Sequence, residues 1–201
     1  MSNGIHIVKR NGSKEPININ KIHKVVMHAC EGLAGVSASQ IEMNANLQFY
    51  DGMSTSEIQE IMVRSANDLI SLDSPNYQYA AARLLTYGLY KEVFGQFEAM
   101  PFIDIIKANI DRGVYDSEIL EKYTEEEIAR LDSYIHHKRD ENFTYAGMRQ
   151  VVDKYLCQDR SSGEIFETPQ YMYMMIAATL FANYPKETRM HYVRRYYDAT
   201  S

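Results

Sequence analysis

The chain has 201 residues, 45% of them apolar and 24% charged, enough to bury a core as one large domain or two small ones and too ordinary for a disordered or collagen-like chain. Its formal charge of −6, from 21 Lys and Arg against 27 Asp and Glu, argues against general duplex binding, which needs a basic face to displace counterions; small anionic ligands stay open. The two cysteines, Cys30 and Cys157, lie too far apart in sequence for a CxxC pair, a structural zinc site or a disulfide framework.

The N-terminus, MSNGIHIVKRNGSKE, has no apolar signal-peptide core. Ile5–Arg10 and Glu15–Ile19 flank Asn11-Gly12-Ser13, and Asn-Gly suits the positive φ values of a tight turn, so a β-hairpin is predicted. Asn20 is the predicted cap of a first helix running to about Leu33, with Ile22, Val25, Val26, Ala29 and Cys30 on its apolar stripe. A second helix follows Ser37 or Ser39 and stops near Asp51-Gly52. Ser54 and Glu57 form a capping box for a third, whose apolar residues Ile58, Ile61, Met62, Ala66, Leu69 and Ile70 recur with a helical period. Ser74-Pro75 opens a fourth, reaching about Phe94. Gly95–Pro101 reads as a boundary, dividing the chain into residues 1–95 and 96–201.

Beyond it, helices are predicted at 102–112, 116–135, 144–157, 168–183 and 186–199, with the Thr124/Glu127 capping box and the Thr168-Pro169 entry as start signals. Arg160–Phe166 is a turn or a short hairpin. The fold class is therefore mainly α, with α+β character at the N-terminus. Tyr171–Ala182 is apolar apart from Thr179, but twelve residues rise only about 18 Å, short of a ~30 Å hydrocarbon core. A buried helix in a soluble, cytoplasmic protein with no membrane partner is expected.

One constellation suggests chemistry. Lys9 and Arg10 close the first strand, Glu15 and Asn18 lie on the return, and Lys21 sits in the first turn of the next helix. Thr55 stands at a helix N-terminus, where unpaired N–H groups and the dipole favour an anion. Gln59 follows one turn later on what reads as an exposed face, and Tyr87 and Lys91 share the same spacing on the fourth helix. Cations for phosphates, a hydroxyl at a helix start and Glu/Asn acceptors for a base would together make a nucleotide pocket. Each residue also has a plainer reading, as a solvated hairpin end or a cap, and neither a Walker motif nor GxGxxG is present.

Other clusters read as structural. His136-His137 with Asp140 and Glu141 reads as a solvated helix end rather than a metal site, since adjacent helical residues point apart. Glu125-Glu126-Glu127 complements a helix dipole. Met172, Met174 and Met175 read as core packing, and Cys30 as an inert buried thiol. No catalytic residues and no metal ligands are predicted.

VKRNGSKEPININKIHKVV, FYDGMSTSEIQEIMVRSANDLIS and SPNYQYAAARLLTYGLYKEVFGQFE resemble the N-terminal end of class I ribonucleotide reductase large subunits, the first unit resembling their ATP-cone. The likeness continues through YTEEEIARLD, YAGMRQVVDKYL, GEIFETPQYMYMMIAATLF and YPKETRMHYVRRYYDA. It implies a hairpin plus four-helix ATP-cone over 1–95, followed by an all-helical block over 96–201. It further implies an overall-activity site for ATP or dATP with Mg2+, on Lys9, Arg10, Glu15, Asn18, Lys21, Thr55, Gln59, Tyr87 and Lys91. Gln59 stands where that family commonly has histidine, and Tyr87 where it commonly has phenylalanine. ATP binding is thus implied, while dATP inhibition is left open.

The implied function is regulation of ribonucleoside-diphosphate reduction, with the catalytic barrel and a radical-generating small subunit as partners. The chain ends at Asp198-Ala199-Thr200-Ser201, where the resemblance places the start of the barrel, and neither cysteine matches a catalytic one. It is therefore expected to be inactive alone, as a split-gene product or a truncation. Met190, Val193 and Tyr197 on its last helix are candidates for the surface facing the barrel. The alternative is a stand-alone ATP-cone sensor, though the acidic balance and separated cysteines do not supply the zinc-ribbon DNA-binding element of a transcriptional regulator.

Overall fold

The structure, a computed structural model, describes residues 4–201. It has the expected class, 61% helical with a two-stranded antiparallel hairpin at the N-terminus. Strand β1 (His6–Val8) pairs with β2 (Lys14–Pro16), setting Ile7 opposite Glu15 and Val8 opposite Lys14. The turn departs from the positive φ values expected at both Asn11 and Gly12. Only Gly12 takes a positive φ, of 80°, and the Lys9 N–H donates to the Ser13 carbonyl across the loop. Asn11 contributes its side chain instead, its Oδ1 accepting from the Ser13 N–H and hydroxyl.

Asn18, not Asn20, caps α1 (Ile19–Cys30), its Oδ1 accepting the Lys21 N–H at 3.1 Å. Helix α2 (Ala38–Asn46) stops short of the expected Asp51-Gly52, because Gln48 turns its amide back onto the Asn44 carbonyl and onto Ser65. Helix α3 (Thr55–Asn67) opens on the complete Ser54/Glu57 capping box. Helix α4 (Tyr77–Phe94) follows. Val26, Ile41, Met53, Ala66, Ala81 and Leu84 are buried in the core these elements share.

Helices α5 (Phe102–Asp111), α6 (Glu118–Lys122) and α7 (Glu125–Asp132) come next. The single helix expected over 116–135 is thus two. Tyr123 is extended between them and donates its hydroxyl to the Ala178 carbonyl at 2.8 Å, while Thr124 and Glu127 form the second capping box. After a 3-10 turn (His137–Asn142), α8 (Tyr145–Gln150) passes into a π-helical turn (Val151–Tyr155), whose Val152 carbonyl accepts from the Gln158 amide. The Arg160–Phe166 stretch is spanned by one antiparallel bridge, Gln158 to Ile165. The chain finishes with α9 (Pro169–Phe181) and α10 (Lys186–Thr200).

The chain forms two compact units. One runs to Gly88 and includes Glu141–Arg149; the other comprises Leu89–Asp140 and Gln150–Ser201. In the second, Tyr171, Met174, Ala177 and Ala178 of α9 are buried with Phe102, Ile106 and Leu131. Among the described residues no helix is long and apolar enough to cross a membrane. Arg189, only 2% exposed, donates from Nε and Nη2 to the Glu127 carboxylate and lies 4.2 Å over the Tyr123 ring.

Two expectations are overturned here. Met190, Val193 and Tyr197 are buried within the second unit, so they are not a free face of α10. The register that gave them helical spacing is the one that packs them inward against α9. The His136–Glu141 region is not uniformly solvated either. Asp140 is 1% exposed and accepts from the Tyr90 hydroxyl at 3.0 Å and the Gln170 amide at 2.8 Å. His137 lies edge-on to Tyr90 and Tyr171, with its Nδ1 buried and unpaired. Burial lowers its pKa to about 4. The 3-10 geometry turns these two residues inward while His136 stays exposed.

Candidate functional site

The first unit brings the end of the hairpin against the start of α3. The Val8 N–H donates to the Met53 carbonyl at 2.9 Å, the Gly52 N–H donates to the His6 carbonyl at 2.8 Å, and Val8 bridges Ser54 in parallel. Lys9 and Arg10 directly follow Val8, and Thr55 directly follows Ser54. Two cations therefore leave the sheet next to a helix N-terminus. The capping box occupies the N–H groups of Ser54 and Glu57. Those of Thr55 and Ser56 have no protein acceptor among the described residues, which leaves the first turn of α3 able to receive an anion.

Glu15 stands across the hairpin from Lys9, whose ammonium reaches its carboxylate at 2.7 Å. That hydrogen bond, with the charges of Lys9 and Lys21, holds the Glu15 carboxyl below its usual range. Glu15, Asn18 and Lys21 line one open concavity of about 500 Å³ running from β2 into the first turn of α1. Asn18 Oδ1 is engaged as the helix cap, which leaves its amide N–H2 as the group able to meet a ligand.

Gln59 is not on the exposed face that its spacing suggested. It is half-buried, and its Nε2 donates to the Leu84 carbonyl of α4. Arg10 reaches the same helix, its Nη2 lying 3.5 Å from the Gly88 carbonyl. A Cβ built at Gly88 would stand 2.9 Å from Gln59 Cγ. Residues from the hairpin and from α3 thus converge on Gly88. Sequence reasoning passed over this position, since a glycine inside an amphipathic helix carries no chemical group; the available signal was its position next to Tyr87 in a helix interior, where glycine is costly.

Tyr87 stacks on His28 of α1, ring centroids 5.5 Å apart, and burial pushes its hydroxyl up to about 12, so it is neutral at physiological pH. Lys91 follows one turn later on α4, in the stretch assigned to the second unit, with its ammonium 4.1 Å from the Phe97 ring centroid. Among the described residues no three His, Cys, Asp or Glu side chains are placed to hold a metal. Mg2+ at such a site would be carried chiefly by ligand phosphates, as is usual for that ion. The thiols of Cys30 and Cys157 are both half-buried and raised, to about 11 and about 12, by desolvation.

Cations and unpaired helix-terminal amides thus meet on a hairpin-plus-helices frame, an arrangement suited to an anionic ligand. Comparison with known proteins supplies the chain's family. The ATP cone domain matches residues 5–92, and the all-alpha domain of ribonucleotide reductase matches residues 141–201. Over all 201 residues the chain is 49% identical to ribonucleoside-diphosphate reductase 1 subunit alpha of Escherichia coli (strain K12) and 46% identical to the subunit alpha of Haemophilus influenzae. Over 199 residues, 98% of the chain, it is 42% identical to that of Enterobacteria phage T4. It spans about a quarter of these relatives, 26%, 27% and 26% of their lengths respectively. The chain belongs to the ribonucleotide reductase large-subunit family, corresponding to its N-terminal ATP-cone and all-alpha region.

Proposed function

We propose that the chain is the regulatory N-terminal part of a ribonucleoside-diphosphate reductase large subunit, binding ATP or dATP with Mg2+ to control formation of deoxyribonucleotides. The observation that carries this reading is the junction of Lys9 and Arg10 with the open N-terminus of α3. Phosphates bind Lys9, Arg10, Lys21 and Lys91 and the amides of Thr55 and Ser56, while Glu15 and Asn18 lie near the base. Lys9 then exchanges part of its pairing with Glu15 for phosphate. On this reading, reduction itself belongs to a barrel-bearing part of the enzyme and to its radical-generating small subunit.

Calorimetric titration with Mg-ATP tests the site. Saturable binding is expected, weakened about tenfold or more by Lys9→Ala and by Lys91→Ala, as loss of a charge-assisted hydrogen bond implies. Titration curves unchanged in both variants would remove the site assignment.

A further inference from the structure

Helix α9 starts in the interior of the second unit, and its first turn is capped differently from those of α1, α2, α3 and α7. There the side chains of Asn18, Ser37, Ser54 and Thr124 accept the N–H groups of Lys21, Gln40, Glu57 and Glu127. Thr168 holds the same position in α9 and makes no such bond. Its hydroxyl is buried with no hydrogen-bond partner. Pro169 has no N–H to offer, and the N–H groups of Gln170 and Tyr171 have no protein acceptor among the described residues; the helix ladder begins with the Met172 N–H on the Thr168 carbonyl at 2.9 Å. Thr168, Gln170 and Tyr171 are each 0% exposed, so bulk solvent does not reach these groups. An N-cap side chain is placed by its covalent geometry beside the amides of the first turn. A hydroxyl and two N–H groups are therefore buried together, and polar groups buried without partners are costly.

We infer that the start of α9 is a binding site for an internal water, which accepts from the Gln170 and Tyr171 N–H groups and donates to the Thr168 hydroxyl oxygen. These contacts match the complement of about three hydrogen bonds typical of a buried water. The surroundings decide the class of ligand. N–H groups at the positive end of a helix repel a cation. The adjoining Glu167 carboxylate, 2% exposed, accepts the Cys157 N–H at 2.8 Å and the Tyr115 hydroxyl, and it disfavours a second anion. A small neutral molecule that both accepts and donates satisfies every group present. The site also has a structural consequence. The Gln170 side chain donates to Asp140 at 2.8 Å and accepts the Tyr197 hydroxyl, so the water holds the backbone of the residue that joins the 3-10 turn to α10.

The experiment is oxygen magnetic relaxation dispersion on the whole chain in isotopically enriched water, which counts long-lived internal waters and is blind to exchanging hydroxyl protons. Wild type is compared with Thr168→Val, which keeps the side-chain shape and removes the hydroxyl, and with Thr168→Ser, which keeps the hydroxyl. Circular dichroism melts establish that each variant is folded. Wild type and Thr168→Ser are expected to hold one long-lived water more than Thr168→Val. Equal counts in wild type and folded Thr168→Val would overturn the inference, as would loss of the water in folded Thr168→Ser. If Thr168→Val does not fold, water-selective NOE spectroscopy of isotopically labelled wild type decides. Cross-peaks from water to the Gln170 and Tyr171 amides are then expected, and their absence from either amide refutes the site.

Discussion

His137 makes the stability of the second unit depend on pH in a calculable way. Its ring lies between Tyr90 and Tyr171, with centroids 6.2 and 5.1 Å away, and its Nδ1 is buried without a partner. Burial lowers the folded pKa to about 4 from an ordinary 6.5. Below about pH 6.5 the unfolded chain takes up a proton that the folded chain refuses, so stability falls as pH falls and levels off below about pH 4. Between pH 7 and pH 5 the full shift corresponds to roughly 2 kcal/mol, and the partial exposure of the ring reduces this to about 1 kcal/mol. Urea unfolding at the two pH values measures the difference. Carboxylates titrate in the same interval, so the comparison that isolates this ring is with His137→Phe, which keeps the aromatic packing. The variant should show a pH dependence flatter by about 1 kcal/mol. Parallel stability curves for the two proteins would refute the assignment of the effect to His137.

Arg189→Met should lower the unfolding free energy by about 3 kcal/mol in urea titration, because it strips a 2%-exposed guanidinium from the Glu127 carboxylate and from the Tyr123 ring; a change under about 1 kcal/mol would mean the pair is solvated in solution. Cys30 and Cys157, raised to about 11 and about 12, should react with Ellman's reagent at pH 8 far more slowly in the native chain than in urea. Rapid native labelling of either thiol would contradict its placement.

Periodicity and local chemistry in the sequence were sufficient for the class of fold, the two capping boxes at Ser54 and Thr124, and the burial of Met172 and Met174. These depend on interactions within a few residues of one another or on which face of one helix is apolar, and both are written along the chain. The candidate nucleotide residues were also visible, through charge next to a turn and through family likeness. What those residues touch was not. The turn at Asn11-Gly12, the early stop of α2 at Gln48 and the break at Tyr123 follow from side-chain hydrogen bonds: Asn11 accepts from the Ser13 N–H and hydroxyl, Gln48 donates to the Asn44 carbonyl and the distant Ser65 hydroxyl, and Tyr123 donates to the distant Ala178 carbonyl. Tertiary packing likewise turned Met190, Val193 and Tyr197 inward and drew Asp140 and His137 out of water. It also laid Gln59 on α4. One missing Cβ at Gly88 permits that contact across 29 residues of chain, and close approach between helices is set by the space left after packing, which no local pattern encodes.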